Sequence, residues 1–148
     1  MRWINVLKAS PRQKADMLKP VFQPPDLNRG RVIVVEDDPA VVRSLKFALE
    51  LEGYEVLSFP DAERLLSVDL PPGRACLVVD VRLPRLDGIE AVRVLRERGV
   101  ELPTVIMTTA PTADMRRRAA SVHAPIVEKP LLGDELMRAI HNALPPLH

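Results

Sequence analysis

An α/β fold, in which helices cover both faces of a parallel five-stranded sheet, is what this sequence predicts, on three observations. Short runs recur that are apolar throughout rather than alternating, which suits strands buried on both faces. Each run is followed by a segment with helical spacing, strand then helix five times, with no hairpin signal between them. The runs also end on charged or hydroxyl residues, and in open parallel sheets the carboxyl ends of the strands form one shared edge where ligands bind.

The totals agree with a single compact domain after an extension. The chain has 148 residues, enough for one proper core. It is 47% hydrophobic and 28% charged, a globular and soluble composition rather than a disordered one. A formal net charge of +1 argues neither for nor against a nucleic-acid partner. Cys76 is the one cysteine, so no disulfide can form within the chain, and a reducing, cytoplasmic setting fits. No apolar stretch is long enough to span a membrane, and the amino terminus lacks a signal-peptide core.

Residues 1–30 read as a basic, proline-containing extension, with residues 31–148 as the domain. Pro11, Pro20, Pro24 and Pro25 break any long helix there, while Trp3, Met17, Leu18, Val21 and Phe22 offer apolar contacts for an arm. Arg31–Val35 is the first strand, closing on Glu36-Asp37-Asp38 and Pro39. Asp38 before Pro39 is a helix start, Val41, Val42, Leu45, Ala48 and Leu49 repeat at helical spacing, and Gly53 ends that helix. Tyr54–Ser58 reads as the second strand and Asp61–Leu66 as a short helix, followed by a Pro71-Pro72-Gly73 turn. The third strand, residues 75–80, is the central one and ends on Asp80. Gly88–Arg98 is the third helix, with Ile89, Val92 and Leu95 inward. Thr104–Thr108 is the fourth strand, Thr112–Val122 a polar helix bearing Arg116-Arg117-Arg118, and Pro125–Glu128 a short fifth strand leading into Lys129-Pro130. The last helix covers about 133–143, before Pro145-Pro146. Right-handed crossovers then favour a flavodoxin-like doubly wound sheet of order 2-1-3-4-5, whose switch point lies between strands one and three.

That order collects Glu36, Asp37 and Asp38, then Asp80, Thr109 and Lys129, on one edge. Taken singly, Asp80, Thr109 and the acidic triplet read as caps, and Lys129 as a surface lysine. Their joint occurrence on successive strand ends points to chemistry. Clustered carboxylates repel unless a cation neutralises them, and oxygen-only ligands suit Mg²⁺. A carboxylate can serve as a nucleophile toward phosphorus, and phosphoryl transfer needs neutralisation of the equatorial oxygens, which an ammonium, a hydroxyl and a metal supply.

The segments Ile33–Pro39, Leu77–Asp80 with Leu83-Pro84 and Asp87-Gly88, Met107–Ala110 and Glu128–Pro130 resemble the receiver (response-regulator) domain of two-component signalling, in its FixJ/NarL type, over roughly residues 31–144. The resemblance implies that Asp80 is the phosphoacceptor and that Glu36, Asp37, Asp80 and the backbone carbonyl of Arg82 hold Mg²⁺. It implies that Lys129 pairs with the phosphoryl group and that Thr109 moves to hydrogen-bond it. Such a protein is a signalling phosphoacceptor, not an enzyme with a separate substrate, and it assists its own phosphorylation and dephosphorylation. Its partners are a histidine kinase or phosphotransfer protein, and a homodimer through the fourth helix, fifth strand and fifth helix. No membrane contact, no output domain in this chain and no direct nucleic-acid binding by it are expected. The alternative is a degenerate receiver acting as a protein-interaction module only.

Three positions depart from the family pattern. Ile126 stands where an aromatic usually rotates inward, Arg82 puts a long cation near the phosphoryl site, and Pro111 stiffens the loop after Thr109. A phosphatase of the haloacid dehalogenase kind would need a second Asp two residues after Asp80, where this chain has Arg82. A flavodoxin-like cofactor site would need phosphate-binding amides and hydroxyls in the first loop, where the acidic triplet would repel a phosphate. The arginine run reads as a solvated helix face, with an acidic partner as the sharper reading.

Overall fold

The computed structural model describes Ser10, residues 29–131 and residues 133–144. The extension expected over residues 1–30, apart from Ser10, Arg29 and Gly30, and the Pro145-Pro146 stop lie outside the described residues. The elements are β1 (Arg31–Val35), α1 (Pro39–Leu51), β2 (Glu55–Phe59), α2 (Ala62–Leu66), β3 (Ala75–Asp80), α3 (Gly88–Glu97), β4 (Thr104–Thr108), α4 (Ala113–Ser121), β5 (Ile126–Glu128) and α5 (Glu135–Ala143). The strands form one sheet of order β2-β1-β3-β4-β5, every neighbouring pair parallel. This is the doubly wound architecture expected from the apolar runs.

Small shifts at element ends have local causes. Tyr54 closes the turn after α1, its N–H donating to the Leu49 carbonyl at 3.0 Å. The second strand therefore begins at Glu55, which bonds back to Gly30 at 2.9 Å, and not at Tyr54. The last helix begins at Glu135, after Asp134, rather than near Gly133.

The sheet divides the core into two layers, because side chains alternate across each strand. Ile33, Val35, Leu77, Val79 and Ile106 pack against Leu65 of α2, Val92 of α3 and Ala119 of α4. Val32, Val34, Cys76, Val78 and Val105 pack against Leu45 and Leu49 of α1 and Leu136 and Ile140 of α5. All six residues of β3 are buried, as a central strand requires.

Among the described residues, four of the five helices carry a side-chain N-cap. Asp38, Asp61, Asp87 and Thr112 accept from Ala40, Arg64, Glu90 and Met115 at 2.9, 2.8, 2.8 and 3.1 Å. Such caps satisfy amides that the first turn would leave unpaired, each stabilising its helix by about 1 kcal/mol. The cap on α1 divides the acidic turn: Asp38 belongs to the helix, which leaves Glu36 and Asp37 for the sheet edge.

Candidate functional site

Register builds the site. Val35 pairs with Val79, so Glu36 and Asp80 follow side by side. Thr108 pairs with Glu128, so Thr109 and Lys129 leave the sheet together. Lys129 then reaches back across the edge. Its Nζ donates to Glu36 Oε1 at 2.8 Å and to Asp80 Oδ2 at 2.9 Å, joining residues 93 and 49 positions away. The backbone N–H of Arg82 donates to Asp80 Oδ1 at 3.2 Å. Glu36 is 2% exposed and Asp80 5%, so both carboxyl groups lie under the surface while Asp37 stays exposed.

These positions set the electrostatics. Burial pushes Glu36 up to about 7, and the neighbouring Asp80 carboxyl adds to this, against the opposing pull of Lys129. Burial pulls Lys129 down, but its contacts to Glu36 and Asp80 win and hold it above the ordinary lysine value. The ammonium is thus the cation that lets two buried carboxyls sit together.

The residues fit a hard divalent cation. One oxygen from each of Glu36, Asp37 and Asp80 lies within 4.8 Å of the others. Opposite ligands of an octahedral Mg²⁺ stand roughly 4 Å apart, so a small closure suffices. Glu36 Oε2 is buried with no hydrogen-bond partner among the described residues, an orphaned acceptor that a metal would satisfy. Arg82 follows Asp80 by two residues, and its backbone lies at the same mouth.

Thr109 is exposed at the start of the β4–α4 loop, and the Arg82 guanidinium reaches its carbonyl at 3.5 Å. Ile126 is half-buried in β5 and packs against the α2–α4 layer. The arginine run on α4 is spent within the chain. Arg116 pairs with Glu128 at 3.4 Å, Arg117 with Asp114 at 3.3 Å, and Arg118 with both oxygens of Asp87 at 2.8 and 2.7 Å. The last of these ties α4 to the cap of α3 in the loop that follows Asp80.

One position whose part in the site was not evident from the sequence is Gly88. A Cβ there would lie 2.0 Å from the Asp80 carbonyl oxygen and 2.7 Å from Val79 Cγ2. The start of α3 therefore presses on the backbone of the strand end, and only glycine allows it. The Asp87-Gly88 pair was visible as a loop closure. The contact behind it was not.

An open doubly wound sheet whose carboxyl edge gathers acidic side chains around one lysine has the architecture of receiver-type signalling modules. The chain belongs to the response regulator receiver domain family, whose family model matches residues 32–141. It is 35% identical over 119 residues to the transcriptional regulatory protein FixJ of Bradyrhizobium diazoefficiens, covering 78% of this chain and 57% of that protein. It is also 35% identical over 115 residues to the response regulator MprA of Mycobacterium avium, covering 77% and 50%. The crystal structure of FixJ-N superposes with a TM-score of 0.71 at 28% identity, covering 78% of this chain and 94% of that one. The chain spans about half the length of the curated relatives FixJ and MprA. Among the described residues, no helix is long and apolar enough to cross a membrane.

Proposed function

We propose that Asp80 accepts a phosphoryl group in an Mg²⁺-dependent reaction and that the acyl phosphate switches a protein-contact face of the domain. The observation that supports this reading is Lys129 Nζ, seated between Glu36 and Asp80 at 2.8 and 2.9 Å, beside a carboxylate cluster that could hold a metal. A phosphohistidine of a histidine kinase or phosphotransfer protein is the donor. An Asp80 oxygen attacks phosphorus, the P–N bond breaks, and its electron pair returns to the imidazole nitrogen. The product is an aspartyl phosphate. Glu36, Asp37, Asp80 and the Arg82 carbonyl would hold Mg²⁺, which would supply charge neutralisation for the phosphoryl oxygens. Lys129 keeps contact with the phosphoryl group, and the Thr109 hydroxyl moves in to donate to it.

That movement repositions the β4–α4 loop and with it the α4–β5–α5 face, the surface offered to a partner or a second copy. The chain works as a phosphoacceptor in a cytoplasmic setting and assists the making and hydrolysis of its own acyl phosphate. Intact-mass measurement after incubation with Mg²⁺ and acetyl phosphate tests the reading. One phosphoryl adduct is expected, absent in Asp80→Asn and absent with chelator. An adduct that persists in Asp80→Asn would overturn the assignment.

A further inference from the structure

The loop that leaves Asp80 is strapped to its neighbours from two sides, and each strap ends on an aspartate that also caps a helix. On one side Arg85 reaches Asp61 Oδ2 at 3.4 Å and Glu63 Oε2 at 3.3 Å, at the start of α2. On the other, Arg118 Nη2 donates to both oxygens of Asp87, at 2.8 and 2.7 Å. Asp61 and Asp87 are the N-caps of α2 and α3. The two straps differ in strength. The Arg85 side chain is 67% exposed and its contacts are long, which is the pattern of a surface pair worth little. Arg118 and Asp87 are each only about a third exposed and their contacts are short, so solvent and salt screen them less. Asp87 Oδ1 also takes the Glu90 N–H at 2.8 Å. One carboxylate therefore fixes the start of α3 and holds α4.

What Asp87 holds in turn is the end of β3. The next residue, Gly88, donates its N–H to the Val81 carbonyl at 3.0 Å, and the Asp80 carbonyl fills the space of its missing side chain. The Leu83 N–H returns to the same Val81 carbonyl at 3.1 Å. Arg82 lies inside this small ring of bonds, with its own N–H on Asp80 Oδ1 at 3.2 Å. A shift of Asp87 cannot be absorbed at Gly88, where the packing is already closed, so it passes to the backbone of residues 80–82. Arg118 belongs to the last turn of α4, while Thr109 precedes the start of that helix. The two ends of α4 are thus connected to two different strand ends of the site.

We propose that Arg118 is a positioning residue: its ion pair with Asp87 clamps the β3–α3 loop, so that Asp80 and the Arg82 backbone keep the arrangement a divalent cation needs. Linkage makes the effect reciprocal. A cation that tightens the loop tightens the pair, and a displacement of α4 that draws Arg118 from Asp87 loosens the cation site. The consequence for the cation rests on the phosphoacceptor reading, while the clamp itself does not.

The test is native-state amide hydrogen exchange on the full 148-residue chain, followed by NMR, with Mg²⁺ alone titrated into the same samples. Arg118→Gln keeps a good helix former, and Asp87→Asn keeps a capping oxygen while losing the charge. The Arg82 and Gly88 amides are expected to exchange about tenfold faster in either variant, and no faster in the double variant, because both changes remove the same pair. Arg118→Lys is expected to restore most of the protection, since a single nitrogen makes both contacts. Mg²⁺ is expected to bind about tenfold more weakly to Arg118→Gln. Unchanged exchange at Arg82 and Gly88 would overturn the proposal. Equal acceleration at Val34 and Val78 in the sheet would also overturn it, because the pair would then stabilise the whole domain and position nothing. So would an unchanged Mg²⁺ affinity in a loosened loop. Absence of Mg²⁺ binding by the unsubstituted protein would count against the phosphoacceptor reading instead, and the exchange rates would still decide the clamp.

Discussion

At the end of β3, Asp80 is almost fully buried and held from two sides, by Lys129 Nζ at 2.9 Å and by the Arg82 N–H at 3.2 Å. At the end of β4, the next strand along the same edge, Thr109 is exposed and its carbonyl accepts two long contacts, from the Thr108 hydroxyl at 3.3 Å and from Arg82 at 3.5 Å. The first position is assembled before any reaction, from β1, β3 and the end of β5. In the proposed function the second must move to take part. Chemistry that depends on preorganised charge belongs to the first, because fixed groups cost no reorganisation at the moment of reaction. A response that depends on displacement belongs to the second, because a loop with few buried contacts opens at low free-energy cost.

If this contrast holds, substitutions at the rigid end should disable phosphorylation and substitutions along the relay should spare it. Lys129→Met is expected to have the largest effect. It removes the cation that, among the described residues, alone touches both Glu36 and Asp80, and the initial rate of adduct formation with acetyl phosphate should fall about 100-fold. A rate within a few-fold of the unsubstituted protein would show that the ammonium is structural only.

Gly88→Ala tests the rigidity of the same end through its backbone. The added methyl carbon meets the Asp80 carbonyl, which cannot swing away as a side chain would. A loss of about 3 kcal/mol in urea unfolding is expected, with slower phosphorylation because the strand end shifts. Unchanged stability would mean that the loop before α3 yields freely, and the contrast with the β4–α4 loop would dissolve.

The buried carboxyl of Glu36 makes the rigid end sensitive to pH. Its folded value is about 7 against an ordinary 4.5, so the native state keeps a proton that the unfolded state has released. The stabilisation linked to that proton is complete below the ordinary value and is lost as pH rises to about 7. Lys129, raised above its ordinary value, stays charged through this window. Without Mg²⁺ the melting temperature should therefore fall between pH 5 and pH 7.5, and Glu36→Gln should flatten that slope. Added Mg²⁺ should stabilise the protein more at the upper end, where the carboxylate is free of its proton.

How much of this was legible in the sequence follows the same division. Asp80, Glu36 and Lys129 could be placed on one edge because period and punctuation alone reveal strand ends, and parallel strands share a direction. The expected strand order follows from the same pattern. The fate of Arg116-Arg117-Arg118 could not be read, because Arg118 finds Asp87 31 residues away and Arg116 finds Glu128 across the α4–β5 face. Arg116 and Arg117 do stay solvated, at 59% and 74% side-chain exposure, but the partners of the run are placed only by the fold. Gly88 hid for the same reason: a glycine before a helix suggests a turn, and only packing shows that the strand end occupies the space of its missing side chain. Tyr54 was misplaced by one residue because a β-type side chain was recruited to close the helix before it.

Ile126→Phe is the smallest expected effect and the sharpest probe of the relay. Ile126 stands opposite Ile106 in the sheet and borders an open cleft of about 630 Å³ that also involves Pro125 and Ala139. A ring can therefore extend outward without forcing the core, and the overpacking cost should stay near the low end of about 1–3 kcal/mol. None of the contacts at Asp80 passes through this side chain, so phosphorylation should change by less than about twofold, well below 1 kcal/mol. A relay that uses β5 to read the position of the β4–α4 loop should instead change the affinity of the phosphorylated domain for itself or a partner, measured by analytical ultracentrifugation of the phosphorylated and unphosphorylated forms. A large fall in phosphorylation rate would couple Ile126 to the rigid end, and the separation between assembled chemistry and displaceable readout would not survive it.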